Sequence, residues 1–247
     1  MNKKPLIEVC VDSIESAIAA EKGGADRIEL CASLFEGGIT PSAGCIELTL
    51  KNVSIDTNVI IRPRGGDFLY TDVEFEVMKK DIIMTKNLGA NGVVLGILNR
   101  DGSVDIERTK ELVYLAKPMT ITFHRAFDMT PDPFKALEDI ISLGIDRILT
   151  SGQERTALEG IDLISDLVKA ANGRIIIMAG GGVNERNINK LYTRTGVQEL
   201  HSSGRVKADS AMTYRKSHVF MGGELRLPEY EVSITDSQRI SILKDSL

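Results

Sequence analysis

Gly24-Ala25-Asp26-Arg27-Ile28-Glu29-Leu30 decides how this chain folds, because its outline returns at Gly89-Ala90-Asn91-Gly92-Val93-Val94-Leu95, Gly144-Ile145-Asp146-Arg147-Ile148-Leu149 and Gly196-Val197-Gln198-Glu199-Leu200. Each time a glycine closes a stretch with helical spacing, a short turn follows, and apolar residues open a strand. Four further apolar runs, at Leu6–Val11, 59–62, 119–124 and 174–179, have the length and composition of buried parallel strands. Helical spacing fills the intervals at 13–22, 42–51, 73–88, 105–116, 132–143, 157–171 and 185–193. Eight strands in strict alternation with helices predict a parallel sheet closed into a (β/α)8 barrel, the TIM barrel. An open dinucleotide-binding sheet would carry glycines after its first strand, where this chain has Cys10-Val11-Asp12-Ser13.

The length of 247 residues matches one such barrel, and no Pro-, Gly- or Ser-rich linker divides it, so residues 1–247 are expected to form a single domain. From Gly204 to about residue 232, which includes Gly222-Gly223, no period is evident, and a long loop is expected. A final helix is expected over 235–247, spaced by Ile240 and Leu243 and capped by Thr235 or Asp236.

Hydrophobic residues make up 43% and charged residues 26%, the balance of a globular protein. Thirty basic against 35 acidic side chains give a net charge of −5, which offers no broad attraction to nucleic acid or anionic lipid. The most apolar run, Ile175-Ile176-Ile177-Met178-Ala179, is far too short to span a membrane. Met1-Asn2-Lys3-Lys4-Pro5 has the charge of a leader's head, but Glu8 and Asp12 break the apolar stretch that should follow, so no secretion signal is expected. Three cysteines, Cys10, Cys31 and Cys45, are too few for a disulfide framework and suit the reducing cytoplasm.

In a barrel the C-terminal ends of the strands build the site. With period-two alternation, Ile7, Val9 and Val11 face the helices and turn Glu8, Cys10 and Asp12 toward the axis. The same parity points Glu29 and Cys31, Arg62 and Arg64, Thr122 and His124, and Glu199 and His201 inward. Charges at a barrel axis require partners, and two readings satisfy that requirement: a self-neutralising polar core, or a ligand site. Within a ligand site, Glu8, Glu29, His124, Asp128, Glu199 and His201 are the candidate acids, bases or ligands.

Gly180-Gly181-Gly182 after strand seven and His201-Ser202-Ser203-Gly204 after strand eight expose backbone N–H groups where many barrels bind phosphate. Arg62 and Arg64 in Arg62-Pro63-Arg64-Gly65-Gly66-Asp67 supply guanidinium forks. The candidate anion-binding set is therefore Arg62, Arg64, Gly180, Gly181, Ser202, Ser203 and Gly204, although the same glycines also suit plain tight turns. For metals, inward Cys10 and Cys31 suit a soft cation such as Cu(I), or equally the commoner role of small buried apolar residues. Glu8, Glu29, Glu199 and a histidine suit a harder divalent ion. No Walker loop, HExxH or nucleophile elbow occurs.

Taken together, Ile7-Glu8-Val9-Cys10, Gly24 to Cys31, Glu36-Gly37-Gly38-Ile39-Thr40-Pro41-Ser42, Ile61-Arg62-Pro63-Arg64-Gly65-Gly66-Asp67-Phe68 and Phe123-His124-Arg125-Ala126-Phe127-Asp128 resemble the CutC family. Leu149-Thr150-Ser151-Gly152, Ala179-Gly180-Gly181-Gly182 and His201-Ser202-Ser203-Gly204 extend the resemblance over nearly the whole chain. The resemblance implies a cytoplasmic, homo-oligomeric barrel assigned to copper homeostasis, with copper bound by Cys10 and Cys31. The residues themselves also support an enzyme acting on a small phosphorylated or carboxylated metabolite at the barrel's C-terminal rim. A scaffold with a protein partner on its rim is a third reading, one that does not require a charged interior.

Overall fold

Capping side chains set most helix starts in the computed structural model, which describes residues 4–219 and 230–247. Ser13 accepts from the Ser16 N–H ahead of α1 (Ile14–Lys22), and Ser42 from the Cys45 N–H ahead of α2 (Ala43–Asn52). Thr71 and Glu74 form a reciprocal capping box on α3 (Asp72–Leu88). Asp105 caps α4 (Ile106–Ala116), and Asp132, followed by a proline, caps α5 (Pro133–Ser142). Gly160 precedes α6 (Ile161–Ala171) and Asn187 precedes α7 (Ile188–Thr195), both without a side-chain cap bond.

Between the helices run β1 (Leu6–Val11), β2 (Arg27–Leu30), β3 (Asp56–Ile60), β4 (Gly92–Leu95), β5 (Thr120–Phe123), β6 (Arg147–Thr150), β7 (Ile176–Ala179) and β8 (Glu199–Ser202). They pair in parallel in sequence order, and β8 closes on β1 with His201 opposite Glu8, so the barrel and its single domain are as expected. The recurring turn has a physical role: Asp26 accepts the Ile7 N–H at 2.7 Å, Asn91 the Thr57 N–H at 2.9 Å, and Asp146 the Ile121 N–H at 2.8 Å. Each turn thereby ties the start of an even strand to the start of the strand before it. Outward-facing Ile7, Val9, Ile28, Leu30, Val59 and Val93 are buried beneath the helices, where α3 contributes Met78 and Ile82.

Gly92 is the one β4 residue with no room for a side chain. A Cβ there would lie 2.2 Å from Asn58 Oδ1 and 2.8 Å from the Thr120 carbonyl oxygen. Gly92→Ala is expected to cost about 1–3 kcal/mol through overpacking, read as a lowered urea midpoint. An unchanged midpoint would show that the interior is loose.

Three expectations shift. β3 spans Asp56–Ile60 instead of 59–62, since Pro63 lacks an N–H and the chain leaves the ladder before Arg62. The α6 pattern begins at Ile161 instead of 157, because 151–160 turn back over one another, with the Gly152 and Gly160 backbones too close for any Cβ. The expected loop after Gly204 contains an antiparallel ribbon, β9 (Arg205–Asp209) with β10 (Glu231–Thr235), so Thr235 ends a strand and Asp236 caps α8 (Ser237–Asp245). β9 is half-buried to exposed and β10 is exposed up to Thr235, so their sequence lacks a buried face to announce them. Gly222-Gly223 and the leader-like residues 1–3 lie outside the described residues.

Candidate functional site

The lower barrel interior is filled by charges that neutralise one another. Arg27 Nε donates to Glu8 at 2.5 Å, and its other arm donates to Glu199. Arg147 Nε reaches Glu199 at 3.0 Å, and Asn58 donates to Glu8 at 3.3 Å. All five side chains are buried. Burial alone would raise the Glu8 carboxyl, but Arg27 and His201 hold it at about 2. For Glu8 and Glu199 the self-neutralising reading therefore describes the geometry, and Glu199 stands below the cavity instead of in its wall.

Above this layer, at the C-terminal ends of the strands, opens a cavity of about 500 Å³. Its floor is Cys10, Glu29 and His201. The His201 Nδ1–H donates to Glu8 at 2.9 Å, and Nε2 lies 3.5 Å from Glu29. Burial opposes charge on this ring, yet Cys10, Glu8 and Glu29 raise it well above the usual histidine value, so it is an imidazolium at neutral pH. The adjacent Cys31 thiol and this imidazolium bring Cys10 down to about 5, whereas Cys31 itself is pushed well up by Cys10 and by burial. Burial raises Glu29 to about 8. The two sulfurs and a Glu29 oxygen all lie within 4.8 Å of one another.

His124 and Arg62 form another part of the wall around Phe68. The His124 Nδ1 accepts the Ala126 N–H at 3.2 Å, and Nε2 has no partner. Burial, then the nearby Arg62 charge, push this imidazole down to about 3. Below pH 6.5 the unfolded chain takes up a proton at His124 that the folded chain refuses until about pH 3. This contribution to stability is therefore present above 6.5 and lost as pH falls, by at most about 1.4 kcal/mol per unit. Urea midpoints from about pH 7 to pH 4 should decline less steeply in His124→Gln than in the parent. Parallel declines would place the acid sensitivity elsewhere.

Of the remaining sequence candidates, Asp128, Gly181, Ser202 and Ser203 line the cavity. The Asp128 carboxylate is engaged structurally, accepting from Ser151 N–H at 3.0 Å, Gln153 N–H at 3.2 Å and Arg125 Nε at 2.7 Å. Arg62 spends both terminal nitrogens on the carbonyls of Glu36, Gly38 and Gly66 and leaves Nε unpartnered. Arg64, Gly180 and Gly204 are outside the lining, and Arg64 turns away to Glu74 at 2.6 Å and Asp67 at 3.0 Å. Cys31 is buried just beneath the floor beside Ile60 and Val94.

Sequence reasoning passed over Arg27 and Arg147, although the parity that turned Glu29 inward turns Arg27 inward too. It also passed over Arg125 and Arg205 in the cavity wall. Arg205 roots the ribbon at the cavity mouth, opposite Thr235 in register, and Arg239 Nη1 donates to its carbonyl at 2.9 Å.

Fold and site together define a closed (β/α)8 barrel with a charged floor and an open cavity at the C-terminal rim. The chain belongs to the CutC family, whose model matches residues 5–206. The human copper homeostasis protein cutC homolog is 50% identical over 238 residues, covering 96% of this chain and 87% of its own length. A family protein CutC from Parabacteroides distasonis is 51% identical, covering 96% and 98%. The crystal structure of CutC from Streptococcus agalactiae superposes with a TM-score of 0.78 at 36% identity, covering 81% of this chain and 98% of that one. Among the described residues no helix is long and apolar enough to cross a membrane.

Proposed function

We propose that this CutC-family protein serves copper homeostasis by binding a copper ion, as Cu(I), between Cys10 and Cys31. The observation that carries the reading is the close grouping of two sulfurs and a carboxylate oxygen at the floor of an open cavity. Thiolate sulfur selects soft cations, and Cys10 already lies on the thiolate side at neutral pH. The His201 imidazolium and the Arg205 charge beside this floor disfavour a hard dication more than a monocation neutralised by sulfur. His201 holds its ring against Glu8 and Glu29, and Glu29 supplies the nearest oxygen. Free thiols in a barrel interior suit a reducing cytoplasm, where the protein is proposed to act.

Titration of the reduced protein with Cu(I) against a chromophoric Cu(I) chelator tests this. One Cu(I) per chain is expected; no withdrawal of Cu(I) from the chelator would contradict the reading. The protein is further proposed to assemble as a homo-oligomer. The family resemblance supports this, as do apolar side chains left on outer helices, with Val73 75% and Tyr114 80% exposed. Light scattering gives the mass directly, and a monomer would refute assembly.

A further inference from the structure

The cavity holds unpaired hydrogen-bond donors, and a cation can use none of them. Arg62 and His124 are each only 5% exposed, line the cavity and keep one nitrogen without a partner. Because His124 Nδ1 accepts a backbone N–H, the hydrogen of the neutral ring sits on Nε2, so both orphans are donors facing a shortage of acceptors. On the adjoining wall, Arg125 uses Nε on Asp128 at 2.7 Å and Nη2 on Ser151 at 2.7 Å, leaving Nη1 unengaged. That guanidinium lies against Gly181, where a Cβ would meet its central carbon at 3.5 Å. The loop after β7 is tied to the end of β8 by Ser202 Oγ, which donates to the Val183 carbonyl at 2.8 Å. Arg205 follows directly and, among the described residues, its guanidinium has no hydrogen-bond or ion-pair partner. The backbone N–H groups of Gly181, Gly182 and Ser203 likewise find no acceptor among the described residues.

We propose that the cavity receives a phosphorylated small molecule. Its phosphate is held by Arg125, Arg205 and the N–H groups of Gly181, Gly182 and Ser203, and its neutral oxygens accept from Arg62 Nε and His124 Nε2. The donors on the Arg125–Arg205 side outnumber what the two oxygens of a carboxylate can accept, whereas a phosphate monoester presents three terminal oxygens and up to two charges. A volume of about 500 Å³ lies in the ordinary range for small-ligand sites and leaves space for an organic portion against Leu34, Phe68 and Leu149. This site uses none of the sulfur ligands and stands or falls independently of copper.

Calorimetric titration of the full, reduced, chelator-treated chain at low ionic strength tests it. The probes are phosphate monoesters of three- to six-carbon polyols and sugars, their unphosphorylated parents, inorganic phosphate and succinate. At least one monoester should bind with a Kd below about 1 mM and more tightly than inorganic phosphate, and its parent should not bind. Arg205→Ala should weaken that monoester by about tenfold or more without moving the melting midpoint. Arg174→Ala, in the turn between α6 and β7 and outside the cavity, should leave its affinity unchanged. Silence from every monoester, equal affinity in Arg205→Ala, or succinate binding as tightly as the best phosphate would overturn the proposal.

Discussion

Arg27→Met is expected to destabilise the barrel by about 3–5 kcal/mol, a large share of the roughly 5–15 kcal/mol that holds an ordinary domain folded. Among the described residues Arg27 is the only cation that touches both Glu8 and Glu199, and the three side chains are buried together in the lower interior. Removing it leaves Glu8 with His201 and the Asn58 amide and Glu199 with Arg147, each carboxylate short of a charged donor in a medium that solvates charge poorly. Urea unfolding measures the loss. The double variant Arg27→Met, Glu8→Gln should recover part of it, because it removes the uncompensated Glu8 charge and leaves Glu199 paired with Arg147. A loss below about 1 kcal/mol in the single variant would mean that water reaches this layer and screens it.

The second large effect concerns the floor of the cavity. Cys10→Ser and Cys31→Ser should each weaken Cu(I) binding by more than about 100-fold, since even residues that merely orient a metal ligand are worth about 10–100-fold. The hydroxyl that replaces either sulfur is a poor donor to a soft ion and does not ionise at neutral pH. The two variants should differ in stability. Cys31 is fully buried beside Ile60 and Val94, whereas Cys10 borders the cavity, so Cys31→Ser buries a new polar group and lowers the melting midpoint more. Chelator competition on both variants, with melting curves to confirm folding, checks the pair. Affinity within about tenfold of the parent in either variant would remove that sulfur from the site.

Turn chemistry made the barrel legible, because the glycine that closes the helix and the apolar run that opens the strand are adjacent in sequence at the Gly24, Gly89, Gly144 and Gly196 junctions, whereas the bonds that Asp26, Asn91 and Asp146 make to the preceding strand are not. Period-two parity then gave the direction of the interior side chains but not their depth. Glu199 and His201 both point inward, yet Glu199 opens β8 and joins the buried ion network, while His201, two residues on, reaches the cavity floor. Parity also fails once a strand has ended. Arg62 keeps its inward direction two residues past Ile60, but Pro63 and the following turn swing Arg64 out to Glu74. Arg205 was the least legible residue of the site, since its place depends on β9 pairing with β10 across more than twenty intervening residues, and neither strand has a buried stripe.

X-ray absorption at the copper edge of the Cu(I)-loaded protein tests the central claim most directly, because it reports the ligand atoms and not only affinity. Two sulfur neighbours, reduced to at most one in Cys10→Ser, are the predicted result. A first shell of nitrogen and oxygen alone, unchanged in that variant, would contradict the assignment of the barrel floor as the copper site.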